Sequence, residues 1–334
     1  MVFFSRRVLC AALVAAAILF APASTRAQGR IDVQATPITH FDNRDHDLRR
    51  FGKLEFRGGL QLTSRTKEFG GISALRMQPD GSHFLAVTDR GHWLRGRLVY
   101  AGSAPAGIAD AEMAAMLGPD GKRLAQRGWW DTESIAEDSG TIYVGIERVH
   151  RIVKYDFAKD GFRARGVPIP VPAEFKTFPS NESIEALAFV PKGLPLAGTL
   201  IVVTEAALDA AGNIRAFLLG GPNPGSFSVK RMDDFSVTDC ALLPGGDLLL
   251  LERRFSWLRG PAVRVRRIAA GELKPGATVT GEQLLYGDVN QQVDNYEGLG
   301  LHRTAAGETV LTIVSDDNFS PLQRTLLMQF TLRE

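Results

Sequence analysis

Cysteine is almost missing from this 334-residue chain: Cys10 and Cys240 are the only two, too few for a disulfide framework. The six histidines, at positions 40, 46, 83, 92, 150 and 302, show no metal-ligand spacing. An excess of charge is also lacking. Lys+Arg number 39 against 37 Asp+Glu, a formal charge of +2, which provides no basic stripe for nucleic acid. With 45% apolar residues, the chain is not one that stays disordered for want of a core. No G-x-S-x-G elbow, P-loop, H-E-x-x-H pair or EF-hand loop occurs. Beyond the N-terminus no apolar run is long enough to span a bilayer.

What is present begins with an export signal over residues 1–27. Ser5-Arg6-Arg7 is a short basic start, Val8 to Ala23 carries no charge, and Thr25-Arg26-Ala27 offers a cleavage site before Gln28. Ser5-Arg6-Arg7-Val8-Leu9 is also similar to the twin-arginine export motif, so the protein is expected to be periplasmic or secreted. Removing Arg6, Arg7 and Arg26 with the signal leaves 36 basic against 37 acidic side chains, and Cys240 as the one mature thiol. Cys240 sits in an apolar run, where a buried, inert thiol is expected. Residues 28–334 carry no convincing linker and read as one domain.

Glycine is plentiful, at 34 residues, and much of it punctuates a repeat. One short run reads Gly70-Gly71-Ile72-Ser73-Ala74-Leu75, Glu133-Ser134-Ile135-Ala136, Glu185-Ala186-Leu187-Ala188, Asp239-Cys240-Ala241-Leu242 and Glu297-Gly298-Leu299-Gly300. After a Gly-containing gap, a second apolar run closes on an acid: Asp89, Glu147, Glu205, Glu252 and Asp316, spaced 58, 58, 47 and 64 residues apart. Short β-rich runs at this period predict an all-β fold, a single β-propeller. Five copies are visible. The strand-like segments Ile31–Ile38 and Leu54–Leu62, with the final run Thr325–Leu332, suggest six blades, the two chain ends closing the ring. One helix is expected, from Asp110 to Leu117, stopped by Gly118-Pro119.

Blades converge on a channel, so repeat-matched strand ends should share one mouth. Nine carboxylates could then form a ring suited to a hard cation such as calcium. The alternative is that each acid binds a neighbouring blade's backbone. Basic residues follow several acids, in Asp89-Arg90, Glu147-Arg148 and Glu252-Arg253-Arg254. They could grip phosphate through guanidinium forks or pair with adjacent acids. His92, His150 and His302 fall just past repeat motifs. Trp93 and Trp129-Trp130 could stack on a ligand or pack between blades.

These segments, closing with Val314-Ser315-Asp316-Asp317-Asn318-Phe319, resemble the bacterial phytase-like propeller family, labelled for the "esterase-like activity of phytase". The resemblance runs over about residues 50–332. It implies an exported propeller that hydrolyses phosphoesters, with acidic side chains holding calcium and substrate phosphates. On this reading Glu133, Glu185, Asp239 and Glu297 are the metal ligands. Asp89, Glu147, Asp316 and His302 are the catalytic candidates, and Arg90, Arg148, Arg253 and Arg254 bind substrate. The expected partner is a small-molecule ester, with no nucleic acid and no membrane span, and the protein is expected to be a monomer. Two other readings stay open: a non-catalytic extracytoplasmic binding propeller, and a lactone or sugar-acid hydrolase.

Overall fold

The computed structural model describes residues 28–333, so the signal expected over 1–27 lies outside the described residues. Five antiparallel sheets surround a central channel. Each repeat folds outward from its innermost strand because its first two runs are buried on both faces. They become the inner strands, and the polar, alternating runs become the outer ones.

Blade one comprises Ile72–Met77, His83–Thr88, His92–Ala101 and Ala104–Ala115, with Gln28–Arg30 added at its outer edge. Blade two comprises Thr132–Asp138, Thr141–Ile146, Arg151–Asp156 and Val167–Pro168. Blade three comprises Ile184–Phe189, Thr199–Leu208, Ile214–Gly220 and Gly225–Val229, and a short parallel strand, Thr278–Val279, joins it. Blade four comprises Ser236–Leu242, Leu248–Ser256, Gly260–Ile268 and Glu282–Gly287.

Blade five is assembled from both ends of the chain. Its inner strands are Tyr296–Arg303, Thr309–Ser315 and Thr325–Leu332, and its outer strands are Leu54–Thr63 and Gln34–Ile38. Leu54–Thr63 pairs antiparallel with Thr325–Leu332, Leu60 lying opposite Leu327. The ring closes this way, with the two ends of the chain paired in one sheet. The expectation of six blades is therefore corrected to five. Gln34–Ile38 and Leu54–Thr63 are the outer half of the fifth blade, whose inner half is the last repeat.

The core is divided among the blade interfaces. Leu54, Phe56, Phe330 and Leu251 pack between blades five and four, while Trp93, Ile135, Val144 and Tyr155 pack between one and two. Trp93 is fully buried, edge-on to Tyr155 at 5.1 Å, so it is a core residue and not a stacking platform. The helix expected from Asp110 to Leu117 is also corrected. Ala104–Ala115 is a strand paired with His92–Ala101 on one side and Gln28–Arg30 on the other. Asp110 takes φ +52° at a register shift in this pairing, and beyond it Ala111, Met113 and Ala115 turn inward. An alanine-rich run fits either state, and two strand partners decide it. Among the described residues no helix is long and apolar enough to cross a membrane.

Candidate functional site

Every innermost strand slips register against its neighbour near its start. The extra residue is Ser73, Glu133, Glu185, Thr238 and Glu297 in blades one to five. A bulge re-aims a side chain and ends regular pairing. Here it does so at one level around the ring. On the second strand the residue beside each bulge is Asp89, Glu147, Glu205, Arg253 and Asp316 in turn, of which Arg253 alone is itself paired, to Ser236. Four of these hang on one repeated bond, the acid's amide donating to Gly71, Asp131, Ser183 and Asn295 carbonyls respectively at 2.9 Å.

In blade one the ring position falls to Ser73, three residues past Gly70, and among the repeats headed by an acid the structural frame departs from the sequence frame in blade four alone. There Thr238 and Arg253 hold the two ring positions, and the aligned acids Asp239 and Glu252 are each one residue out of step. Both are neutralised away from the mouth. Asp239 accepts both Arg76 amino groups, at 2.7 and 2.9 Å, and the Cys240 and Leu299 amides, each at 2.8 Å. With both oxygens so committed, Asp239 is removed from the metal-ligand set. Glu252 is fully buried and accepts Arg264 Nε at 2.6 Å and Arg266 Nε at 2.8 Å, from the next strand of its own blade.

Arg76 itself occupies a position where the other blades carry Ala136, Ala188, Ala241 and Gly300, small residues that leave it room. Its guanidinium donates to the carbonyls of Leu75, Leu187, Cys240 and Leu299, the same inner-strand position in four blades. Inner strands have one unpaired edge each, and their buried carbonyls need donors. One arginine supplies them and blocks the channel beneath the acids.

Seven acids therefore share the mouth: Asp89, Glu133, Glu147, Glu185, Glu205, Glu297 and Asp316. Asp131 stands beside them at φ +72°. The counter-charge within the ring is Arg253, at 3.3 Å from both Glu205 and Glu297. Burial, then repulsion from Glu297, pushes the Glu133 carboxyl well up, and burial followed by Glu205 does the same to Glu185. Burial and the charge of Asp316 push Asp89 up to about 7. Glu147 and Asp316 rise to about 8 and Glu297 to about 7, in each case chiefly through burial. Glu147 Oε1 accepts the Ser183 amide at 2.8 Å. Asp89 Oδ1 and Glu185 Oε2 are buried with no partner.

The last repeat's acid pair divides its labour. Asp317 Oδ1 accepts the Gly71 amide at 3.0 Å, tying blade five to blade one, while Asp316 joins the mouth. Of the other residues singled out from sequence, Arg90 lies over the Phe319 ring at 3.2 Å and Arg148 over Trp130 at 4.0 Å. Arg254 lies over Phe235 at 4.9 Å. His302 does not join the site. It lies six residues along its strand from Tyr296, roughly 20 Å at the usual rise. There it is buried near Gly81 and His302 falls to about 4, chiefly through burial, so it is neutral and remote from the acids. Asp131 and Glu205 were not among the assigned catalytic or metal residues. The repeat pointed to Glu205, but only the bulge register shows that it belongs with the mouth and Glu252 does not.

The family profile described as "Phytase-like: Esterase-like activity of phytase" matches residues 67–319. The chain belongs to the phytase-like family. The match takes in all seven acids of the mouth, and it is consistent with a hydrolase acting on a small molecule. No curated protein matches the chain. Among solved structures, the WD40 repeats of RRP9 are 10% identical, covering 90% of this chain and 100% of theirs at a TM-score of 0.39. U3-55K is 10% identical, covering 79% of this chain and 96% of its own at a TM-score of 0.35.

Proposed function

We propose that this phytase-like protein is an exported, cation-dependent hydrolase of phosphate or related esters, working at the acidic mouth of the propeller. The observation that carries the reading is seven repeat-placed carboxylates facing one guanidinium, with buried oxygens of Asp89 and Glu185 left without partners. Like charges at this density must be relieved by protons or by cations. The donors are all hard oxygens, the set calcium prefers. Among the described residues no three His, Cys, Asp or Glu side chains converge on one point, so the carboxylates would share an ion with water ligands.

Glu133, Glu185, Glu297 and Asp316 would surround such an ion, held largely through water rather than by direct ligation from all four. When bound, calcium polarises an ester oxygen and acidifies a water. The chain's own groups do the rest. Arg253 offsets the charge that develops on the ester's non-bridging oxygens. Arg90 and Arg148 extend positive charge along the rim. Asp89 Oδ1, unpartnered, accepts the proton as water adds; the ester bond breaks and the leaving oxygen departs as an alcohol, protonated by solvent. Arg76 closes the channel below, so substrate enters and product leaves by the same mouth.

The test is an assay of the mature protein on phytate and p-nitrophenyl phosphate, with calcium and with chelator, alongside its metal content. Calcium-dependent turnover of either ester is expected. Turnover of neither would sink the reading, and calcium binding without turnover would favour a binding propeller.

A further inference from the structure

One flank of the mouth opens into a groove of different character. Strands Leu248–Ser256 and Gly260–Ile268 run on past the ring as a hairpin, and its tip carries Trp257 and Leu258, 94% and 97% exposed. Phe255, 59% exposed, packs edge-on against Trp257 at 5.2 Å. Across the groove the segment after Asp316 presents Leu322, 92% exposed. The cavity between them measures about 820 Å³, and its lining includes Glu297 and Arg253 of the acidic mouth. It is therefore continuous with the mouth, and its size suits a small molecule.

Grouped apolar side chains on the rim of a polar cleft mark a binding surface. Trp and Phe give large contact area with few torsions to freeze. The groove's charge is also unbalanced. Arg254 makes no ion pair among the described residues; its Nε is buried without a partner, and its Nη1 donates only to the Asp233 carbonyl at 3.2 Å. Arg324, on the other wall, is bound to Asp294 and Gln292. An aromatic wall thus lies beside a guanidinium lacking an anion, with the acidic mouth at the groove's end. A polyanion would leave that wall in water, whereas an ester with a bulky apolar arm would cover it.

We propose that this groove is the specificity subsite for the apolar arm, aryl or bulky acyl, of an anionic ester. The anionic group lies toward Arg254, and the scissile bond lies at Arg253 and Glu297. This rests on the hydrolase reading of the mouth, and the experiment separates the two. Binding of 1-naphthylmethylphosphonate, which cannot be hydrolysed, is measured by calorimetry in calcium for the wild type and for Phe255→Ala/Trp257→Ala. Turnover of 1-naphthyl phosphate and of methyl phosphate is measured beside it, with thermal melts as a folding control.

The double variant should bind the phosphonate about tenfold more weakly and lose about tenfold in kcat/KM on the naphthyl ester. Methyl phosphate turnover should hold, and so should the melt, since both side chains are largely exposed. Phosphonate binding that depends on the two aromatics without any ester turnover would uphold the subsite and overturn the hydrolase reading. Turnover and binding indifferent to the double substitution, or no binding by the wild type, would overturn the subsite.

Discussion

Replacing a buried carboxylate has opposite consequences at different places in this ring. Glu185 sits buried among like charges, so Glu185→Gln should stabilise the metal-free protein at pH 8 while abolishing any calcium-dependent stabilisation. Arg76 and Glu252 sit in compensated, buried networks. Arg76→Met would strip donors from four carbonyls and leave Asp239 uncompensated, and Glu252→Gln would leave Arg264 and Arg266 without their counter-charge. Each should cost about 3–5 kcal/mol. Urea unfolding with and without calcium separates the two behaviours, and a calcium response that survives Glu185→Gln would remove that residue from the site. The residue types alone could not make this distinction. Asp239 and Glu185 stand at the head of similar tetrads, and only the position of the bulge shows that they are one residue out of step.

At the scale of the element, the turn into blade one is the most constrained part of the mouth. Gly71 adopts φ +61°, and a Cβ there would lie 2.2 Å from Asp89 Oδ1 and 2.6 Å from the Phe319 ring. Gly71→Ala should therefore cost about 1–3 kcal/mol in backbone strain alone. It should also displace Asp89 and lower turnover more than Gly102→Ala, a turn glycine with φ +62° and open space around it. Equal losses of activity in the two variants would show that the position of Asp89 does not matter. The strands themselves were legible from β-branched runs and Gly turns. Ala104–Ala115 was not, because its alanines suit a helix and only the flanking strands, His92–Ala101 and Gln28–Arg30, select the extended form.

The whole molecule carries its uncompensated charge at one end, and its stability should follow pH accordingly. Asp89, Glu147, Glu297 and Asp316 have folded pKa values raised to about 7 or 8 from ordinary values near 4. The folded state then holds more protons than the unfolded one across that interval. Stability of the metal-free protein should fall as pH rises from about 4 to about 8, the reverse of acid denaturation. Calcium should oppose the loss at pH 8, by roughly 2.7 kcal/mol at a hundred times its dissociation constant. Thermal melts across this range with calcium and with chelator check both signs. A metal-free protein that gains stability over the same interval would contradict the crowding of charge at the mouth. Ring closure also belongs to this scale. The repeat count was visible in the chain, but the extra strands at its start suggested a sixth blade until Leu54–Thr63 was seen paired with Thr325–Leu332.

By itself the sequence determined the all-β propeller, its five copies and the family, because short buried strands at a fixed period have few other ways to cover their faces. It also determined that acids would gather at strand ends. Tertiary structure decided which acids gather. A single-residue bulge fixes which side chains reach the mouth, and bulges are set by the pairing of strands rather than by any one strand's composition. It also decided that Asp239 and Glu252 are held by Arg76, Arg264 and Arg266, partners that folding alone brings within reach.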